Sequence, residues 1–300
     1  MLKLKSLLTE GPEADKLAKV FKKGGGVSKG RAELAKVIGE PKVQALLKAG
    51  EDDGDPDDDK FPYTETPVKV IDLLPTQNQI GFDQSVMNLL TDEYGSLQSF
   101  LDGNADVGGP IVTYAGKYII DGHHRWSQVF AANPFASMDA LDIAEKPGFS
   151  HTDMLKAVHG AIAADIGKVP AANPKGVNLL KGVDLNLIQS RVMDNFESYP
   201  AVEKIWMDNS PVWAGRKKMD LMNPGDVATA IHTNLELMIK RKFAKGAPGR
   251  KDMPQSDSGG KPKDRLDQLA KGAINVSEPF GEGKSLKERF QKIANIKKGK

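Results

Sequence analysis

Five consecutive residues in the middle of the chain combine several side chains that can handle phosphate. They follow a short apolar run and are, in order, Asp121, Gly122, His123, His124 and Arg125. Apolar side chains then recur at helical spacing, at Trp126, Val129 and Phe130. The pattern predicts a strand that enters a helix through a single glycine. At such a junction several backbone N–H groups and the positive end of the helix dipole point at one place, which suits an anion.

Each member of this segment has its own chemical capacity. Asp121, at the strand end, could hold Mg²⁺ or accept a proton, and we predict Asp121 and His124 as the catalytic pair. Arg125 offers a planar, permanently charged fork for phosphate oxygens, and Gly122 lets the main chain approach closely. Adjacent helical residues point about 100° apart, so His123 and His124 cannot both face one ligand. We expect Gly122, His123 and Arg125 to bind phosphate, with Arg125 facing the surface and not supporting the core.

A second group of polar residues follows the first strand-like run of the chain. The run Val68–Leu74 stops at Pro75, and Thr76, Gln77 and Asn78 come next. Residues of these types either make hydrogen bonds within a turn or contact a ligand. Both roles stay open from the sequence, and we include the three residues among the candidate nucleotide-binding groups.

The elements around these two groups alternate in type. The sequence predicts, in order, a strand, a helix at Val86–Leu90, a hairpin turning at Ala115-Gly116, a helix from His123 that ends before Asn133, and a strand at Met138–Ile143. Beyond Pro147 the periodicity is helical. This order predicts an α/β (α+β) fold with a small mixed sheet, followed by a helical region.

The chain is accordingly divided into five parts. We predict a helical N-terminal extension at 1–50, an acidic linker at 51–66, the α/β domain at 67–146, a helical domain at 147–245 and a basic, largely disordered tail at 246–300 that buries little apolar surface. Within the helical domain, 183–196 and 226–243 are the clearest helices. Trp206 and Trp213 in this region could stack on bases, although core packing is the favoured interpretation.

Charge is strongly segregated although the net charge is only +2. Residues 51–59 carry seven acids and no base, whereas residues 240–300 carry 17 Lys and Arg against seven Asp and Glu. The basic end could hold nucleic acid or an acidic protein surface, or it could be a solvated tail. The absence of cysteine excludes disulfides and thiolate chemistry. No signal peptide or membrane span is predicted, so we expect a cytoplasmic protein.

The segment Asp121–Arg125, placed after a hairpin, resembles the Gly-x-His-Arg box of the ParB/sulfiredoxin superfamily. The resemblance covers residues 67–143 and implies that the box opens a helix and contacts nucleotide phosphates. His123 stands where sulfiredoxins have their cysteine, which implies that sulfinic-acid reduction is absent. The box is closer to that of ParB-like small-molecule kinases such as the free serine kinases. Those kinases have a catalytic glutamate in the first loop, where this chain has Thr76–Gln79.

Two functional hypotheses follow. The first is a nucleotide-binding protein that uses ATP, ADP or CTP with Mg²⁺ for phosphoryl transfer or nucleotide hydrolysis, Asp121 holding the metal. The second is a catalytically silent interaction protein, phage-encoded or virion-associated, that binds nucleic acid or partner proteins through its helical region and basic tail. The sequence gives no prediction of oligomeric state.

Overall fold

The computed structural model describes residues 60–147, 150–151, 154–155, 158, 177–209, 221–247, 266–267 and 270–271. The predicted N-terminal extension of residues 1–50, residues 51–59 of the acidic linker and most of the basic tail lie outside the described residues. Within the described part of the chain, no helix is both long enough and apolar enough to cross a lipid bilayer.

Over the described residues the chain forms six strands and six α-helices. The strands are β1 Tyr63–Lys69, β2 Leu74–Pro75, β3 Asn104–Ala105, β4 Ile111–Tyr114, β5 Tyr118–Asp121 and β6 Ser137–Ile143. The α-helices are α1 Phe82–Thr91, α2 Leu97–Asp102, α3 His123–Ala132, α4 Leu185–Ser198, α5 Pro200–Asp208 and α6 Pro224–Arg241. Two short 3-10 helices cover Val70–Asp72 and Leu179–Lys181.

The strands form one mixed sheet in the order β1-β6-β4-β5-β2, with β3 beside β6. β1 pairs antiparallel with β6, and β4 pairs antiparallel with β5. β4 runs parallel to β6, and β2 runs parallel to β5. The predicted α/β fold with a mixed sheet is therefore confirmed. The short β2 lies at one edge beside β5, so the residues that follow β2 lie near the strand that leads into the Asp121–Arg125 segment.

The turn between β4 and β5 is the predicted hairpin turn. Ala115 and Gly116 have φ angles of 54° and 61°, both in the left-handed region. Two successive positive φ angles are typical of the type I′ turn, whose twist matches that of the flanking strands. This tight connection fixes the register of β5 and hence the position of Asp121 at its end.

The first strand begins and ends earlier than the sequence indicates. β1 covers Tyr63–Lys69, so four residues assigned to the acidic linker pair with β6. The expected strand Val68–Leu74 instead turns at Val70, which begins a 3-10 helix. Val70 is fully buried, its N–H donates to the Ala136 carbonyl, and its own carbonyl accepts from the Trp126 indole. Because the turn itself is buried, its residues are apolar, and such a run resembles a buried strand in the sequence.

Side chains that alternate along the central strands enter two separate cores. Ile111 and Ile119 join a large cluster on one face of the sheet, to which α1, α3, α4 and α6 also contribute side chains. Val112 and Ile120 point to the opposite face and join a smaller cluster. Leu266 also belongs to that smaller cluster and is 1% exposed. Leu266, in the predicted tail at 246–300, therefore buries its apolar side chain, and most of the other residues of that tail lie outside the described part of the chain.

The helical region packs onto the same core as the sheet. The larger cluster contains residues of α1 and α3 together with residues of α4, α5 and α6. Asn234 of α6 is fully buried, and its Nδ2 donates to the carbonyls of Ala131 and Ala132 at the end of α3. Trp206 of α5 is also fully buried and donates to the Leu89 carbonyl, which confirms its core interpretation. Trp213 lies outside the described residues.

Candidate functional site

The site begins at the junction between β5 and α3. Asp121 is the last residue of β5, Gly122 is the N-cap residue of α3, and Trp126 makes the first helical hydrogen bond, from its N–H to the Gly122 carbonyl at 2.9 Å. The predicted strand, glycine and helix are thus confirmed. No side chain of the N-cap residue closes the helix start. The positive end of the α3 dipole lies beside the Asp121 carboxylate.

Gly122 meets two independent requirements at this junction. Its φ of 94° lies in the left-handed region, which residues with a side chain rarely adopt. A Cβ at this position would also lie 2.5 Å from Cγ2 of Ile111, which is fully buried in β4. Glycine therefore allows the backbone of the junction to lie directly against the sheet.

Arg125 supports the fold as well as facing the junction. Its Nη1 donates to the carbonyls of Gly109 and Pro110, each at 2.9 Å, and its Nη2 lies 3.6 Å from the Asp121 carboxylate. The side chain of Arg125 is 27% exposed and that of Asp121 is 13% exposed. The expectation that Arg125 has no structural role is therefore corrected, because its guanidinium ties the loop before β4 to the first turn of α3.

His123 links the junction to the loop after β2. The residue is 5% exposed, and its Nε2 accepts a hydrogen bond from the Thr76 N–H at 3.1 Å. Since an N–H group only donates, Nε2 carries no proton in this arrangement and the ring proton is on Nδ1. Thr76 is fully buried and its hydroxyl donates to the Ile119 carbonyl of β5. Of the two histidines, His123 is the buried one, whereas His124 is partly exposed.

The three loop candidates do not share one environment. Thr76 meets His123, as described, and Gln77 is 1% exposed. Asn78 is turned toward other parts of the chain, because its Nδ2 donates to the Ala247 carbonyl at 2.8 Å and its carbonyl accepts from Asn178 at 3.0 Å. The structure therefore brings Thr76 together with the Asp121–Arg125 segment and assigns Asn78 to a contact with distant segments.

A metal at Asp121 would need ligands from outside the described side chains. Within the residues that the structure describes, no three His, Asp or Glu side chains lie close enough to hold one ion. Mg²⁺ commonly keeps several waters and is bound through one or two carboxylates together with substrate phosphates. Asp121 fits that mode, in which a nucleotide brings most of the coordination.

Several contacts of the site come from partners that sequence reasoning missed. Gly108-Gly109-Pro110 is recognisable as a turn, but its pairing with Arg125 depends on the fold. Asn178 and Ala247 lie about 100 and 169 residues from Asn78. No local pattern indicates such long-range hydrogen bonds.

Comparisons of the chain with protein-family models, with curated proteins and with solved structures found no match.

Proposed function

We propose that this chain binds the phosphates of a nucleotide at the start of α3 and that bound Mg²⁺ assists phosphoryl transfer or hydrolysis there. The observation that carries the proposal is the geometry of Gly122, whose positive φ and lack of Cβ let the start of a ten-residue helix follow β5 directly. Helix starts of this kind bind anions through backbone N–H groups and the helix dipole. The resemblance of the Asp121–Arg125 segment to the ParB/sulfiredoxin box points to the same ligand.

The roles within the proposed site follow from the contacts. Arg125 already uses Nη1 on two carbonyls, so a phosphate would meet its Nη2 side, which lies next to Asp121. A phosphate and Asp121 repel each other unless a cation lies between them. Asp121 would hold Mg²⁺, and the charge of the ion would offset that repulsion. His123 contributes by holding Thr76 in place. The candidate nucleotides are ATP, ADP and CTP.

In the proposed reaction the terminal phosphoryl group leaves the nucleotide and joins water or an alcohol. The bond between the phosphorus and the bridging oxygen breaks, and the electron pair stays on the departing nucleotide. The attacking hydroxyl loses its proton to a base, for which the predicted His124 is our candidate. Nε2 of this ring is buried, so the proposal assigns the base role to Nδ1. The Thr76–Gln79 loop contains no carboxylate, so Asp121 is the one acidic group that the proposal uses.

A second candidate is a catalytically silent interaction protein with the same fold. It is favoured by the hydrogen bonds of Arg125 to Gly109 and Pro110 and of His123 to Thr76, since these give both side chains a structural use. In this case the basic C-terminal segment contacts nucleic acid or an acidic protein surface. Either protein would work in the cytoplasm or, if phage-encoded, in association with a virion.

A nucleotide screen separates the two candidates. The thermal midpoint of the full chain is measured with ATP, ADP and CTP, each with and without Mg²⁺. The first candidate predicts that at least one nucleotide raises the midpoint and that Mg²⁺ increases the effect, because ligand binding to the folded state stabilises it. An unchanged midpoint with every nucleotide, at concentrations up to the millimolar range, contradicts nucleotide binding and leaves the second candidate.

A further inference from the structure

The backbone leaves helical geometry directly after α6. The helix ends at Arg241, and Lys242 has φ 66° and ψ −179°. A residue with a side chain rarely adopts this backbone conformation, and such strain persists where surrounding contacts fix it. The chain then runs back toward the end of β2. We call residues 242–247 the strap.

Three hydrogen bonds hold the strap on the folded body. The Ala244 N–H donates to the Pro75 carbonyl at 2.9 Å, and Asn78 Nδ2 donates to the Ala247 carbonyl at 2.8 Å. His151 Nε2 lies 2.9 Å from the Lys245 carbonyl and donates to it, since a carbonyl only accepts. Ala244 itself is buried. The backbone from Ala244 to Ala247 is therefore held on the folded body at three positions.

The strap presents an uncompensated positive charge. Residues 240–251 contain six Lys and Arg and no acid. Lys240 and Arg241 lie in the last turn of α6, where cations offset the negative end of the helix. Lys242 and Lys245 lie beyond the helix and are exposed. Lys242 is the C-cap residue of α6, so helix electrostatics can account for its charge but not for that of Lys245.

An aromatic ring lies between the two lysines. Phe243 is 43% exposed, although the neighbouring Ala244 is buried. Cationic groups that contact phosphates and an exposed ring on which a base can stack are the two components of sites for single-stranded nucleic acid. The strap combines them within four residues, Lys242–Lys245, on a backbone that is already ordered. A surface that is ordered before binding loses less conformational entropy when it binds.

We propose that the strap is a docking surface for single-stranded nucleic acid, on which Lys242 and Lys245 contact phosphates and Phe243 stacks on a base. The proposal rests on the second candidate function, because it specifies where on the folded body nucleic acid binds. It also sets the start of the polyanion contact at residues 242–247.

The test measures binding of the full chain to a labelled oligothymidylate of about 16 nucleotides by fluorescence anisotropy at several salt concentrations. The variant Lys242→Gln/Lys245→Gln removes both strap cations. The control Lys69→Gln/Lys204→Gln removes two exposed lysines elsewhere in the protein. Lys69 lies in β1, at the opposite edge of the sheet from β2, and Lys204 lies in α5. Thermal midpoints of both variants should lie close to that of the wild type, because all four side chains are exposed and the surface ion pair of Lys204 with Asp208 contributes at most about 1 kcal/mol.

The strap variant should reduce the salt slope of log K by about 1.4, since each lost phosphate contact on a single strand contributes about 0.7. The control should keep the wild-type slope. Phe243→Leu should weaken binding at least about fivefold without changing the slope, because base stacking is largely independent of salt.

Each remaining outcome contradicts a different statement. If the wild-type chain does not bind the oligothymidylate, nucleic-acid binding itself is wrong. If it binds but the strap and control variants have the same slope, the contact lies elsewhere and the strap proposal fails. If a duplex of equal length binds more tightly than the single strand and Phe243→Leu has no effect, the strap does not select single strands.

Discussion

At the residue scale, the Asp121–Arg125 segment combines fold support with candidate ligand contacts. Gly122 allows the junction to lie against Ile111, and Arg125 ties this junction to the loop before β4. His123 in turn fixes Thr76. A substitution in this segment therefore changes stability as well as binding, and the two effects must be measured separately.

Replacing Gly122 with alanine should destabilise the protein more than replacing a left-handed glycine that has open space around it. Gly116 has φ 61° and open space around its Cβ position, so Gly116→Ala should cost about 1–2 kcal/mol for backbone strain alone. Gly122→Ala adds overlap with Ile111 and should cost roughly 1–3 kcal/mol more. Urea unfolding followed by circular dichroism measures both free energies. Equal losses for the two variants would show that the junction can shift away from Ile111 without cost.

Arg125→Ala should lower the free energy of unfolding by roughly 1.5–3 kcal/mol, the range for hydrogen bonds that involve a charged group. Arg191→Ala is the control, because Arg191 lies 3.6 Å from Asp83 in an ion pair whose side chains are 41% and 46% exposed. Such a pair contributes about 0–1 kcal/mol. Thermal or urea unfolding of both variants makes the comparison. A loss for Arg125→Ala no larger than that of the control would mean that the bonds to Gly109 and Pro110 do not support the fold.

At the scale of elements, the parts of the site that are local in sequence could be predicted. A strand, one glycine and a helix occur within fifteen residues, 118–132. The apolar pattern of the strand and the helical spacing that follows it are both visible in the sequence there. The turn at Val70 could not be predicted, because a buried 3-10 turn and a strand end require the same apolar residues. The structural role of Arg125 could not be predicted either. It depends on the carbonyls of residues 109 and 110, which lie next to Arg125 only when β4 and β5 are paired.

The contact between α6 and the end of α3 gives a prediction at this scale. Asn234→Ala removes two hydrogen bonds to buried carbonyls and should lower the free energy of unfolding by about 1–3 kcal/mol. Thr233→Ala, in the same helix, removes only the local bond to the Thr229 carbonyl and should change it by about 0.5 kcal/mol or less. Urea unfolding of the two variants gives both values. Similar losses would indicate that Asn234 does not hold the two helices together.

At the scale of the whole molecule, the sheet and the helical region share one core. The division into a domain at 67–146 and a helical domain at 147–245 follows composition and periodicity in the sequence. The larger apolar cluster nevertheless joins Val86 and Val129 to Ile188, Ile231 and Leu235. The helices after Pro147 therefore cover apolar side chains of α1 and α3 that would otherwise face solvent.

A fragment of residues 60–147 should consequently fail to unfold cooperatively. Without α4 and α6 the fragment exposes apolar side chains of α1 and α3 and loses the hydrogen bonds that Asn234 makes to α3. The full chain, melted under the same conditions, should give a single transition. Circular dichroism as a function of temperature is the measurement. A cooperative melt of the fragment near the midpoint of the full chain would show that the α/β part is an independent domain.

The central claim concerns the start of α3 and is tested most directly by mapping backbone amides. ATP with Mg²⁺ is titrated into isotopically labelled full chain while the amide resonances are followed by nuclear magnetic resonance. The proposal predicts saturable shifts at His123, His124 and Arg125, and unchanged resonances at Thr64 of β1, which lies at the opposite edge of the sheet from β2. Shifts confined to the residues after Ala247, or no saturable shift at the start of α3 with ATP, ADP or CTP, would contradict nucleotide binding at this site.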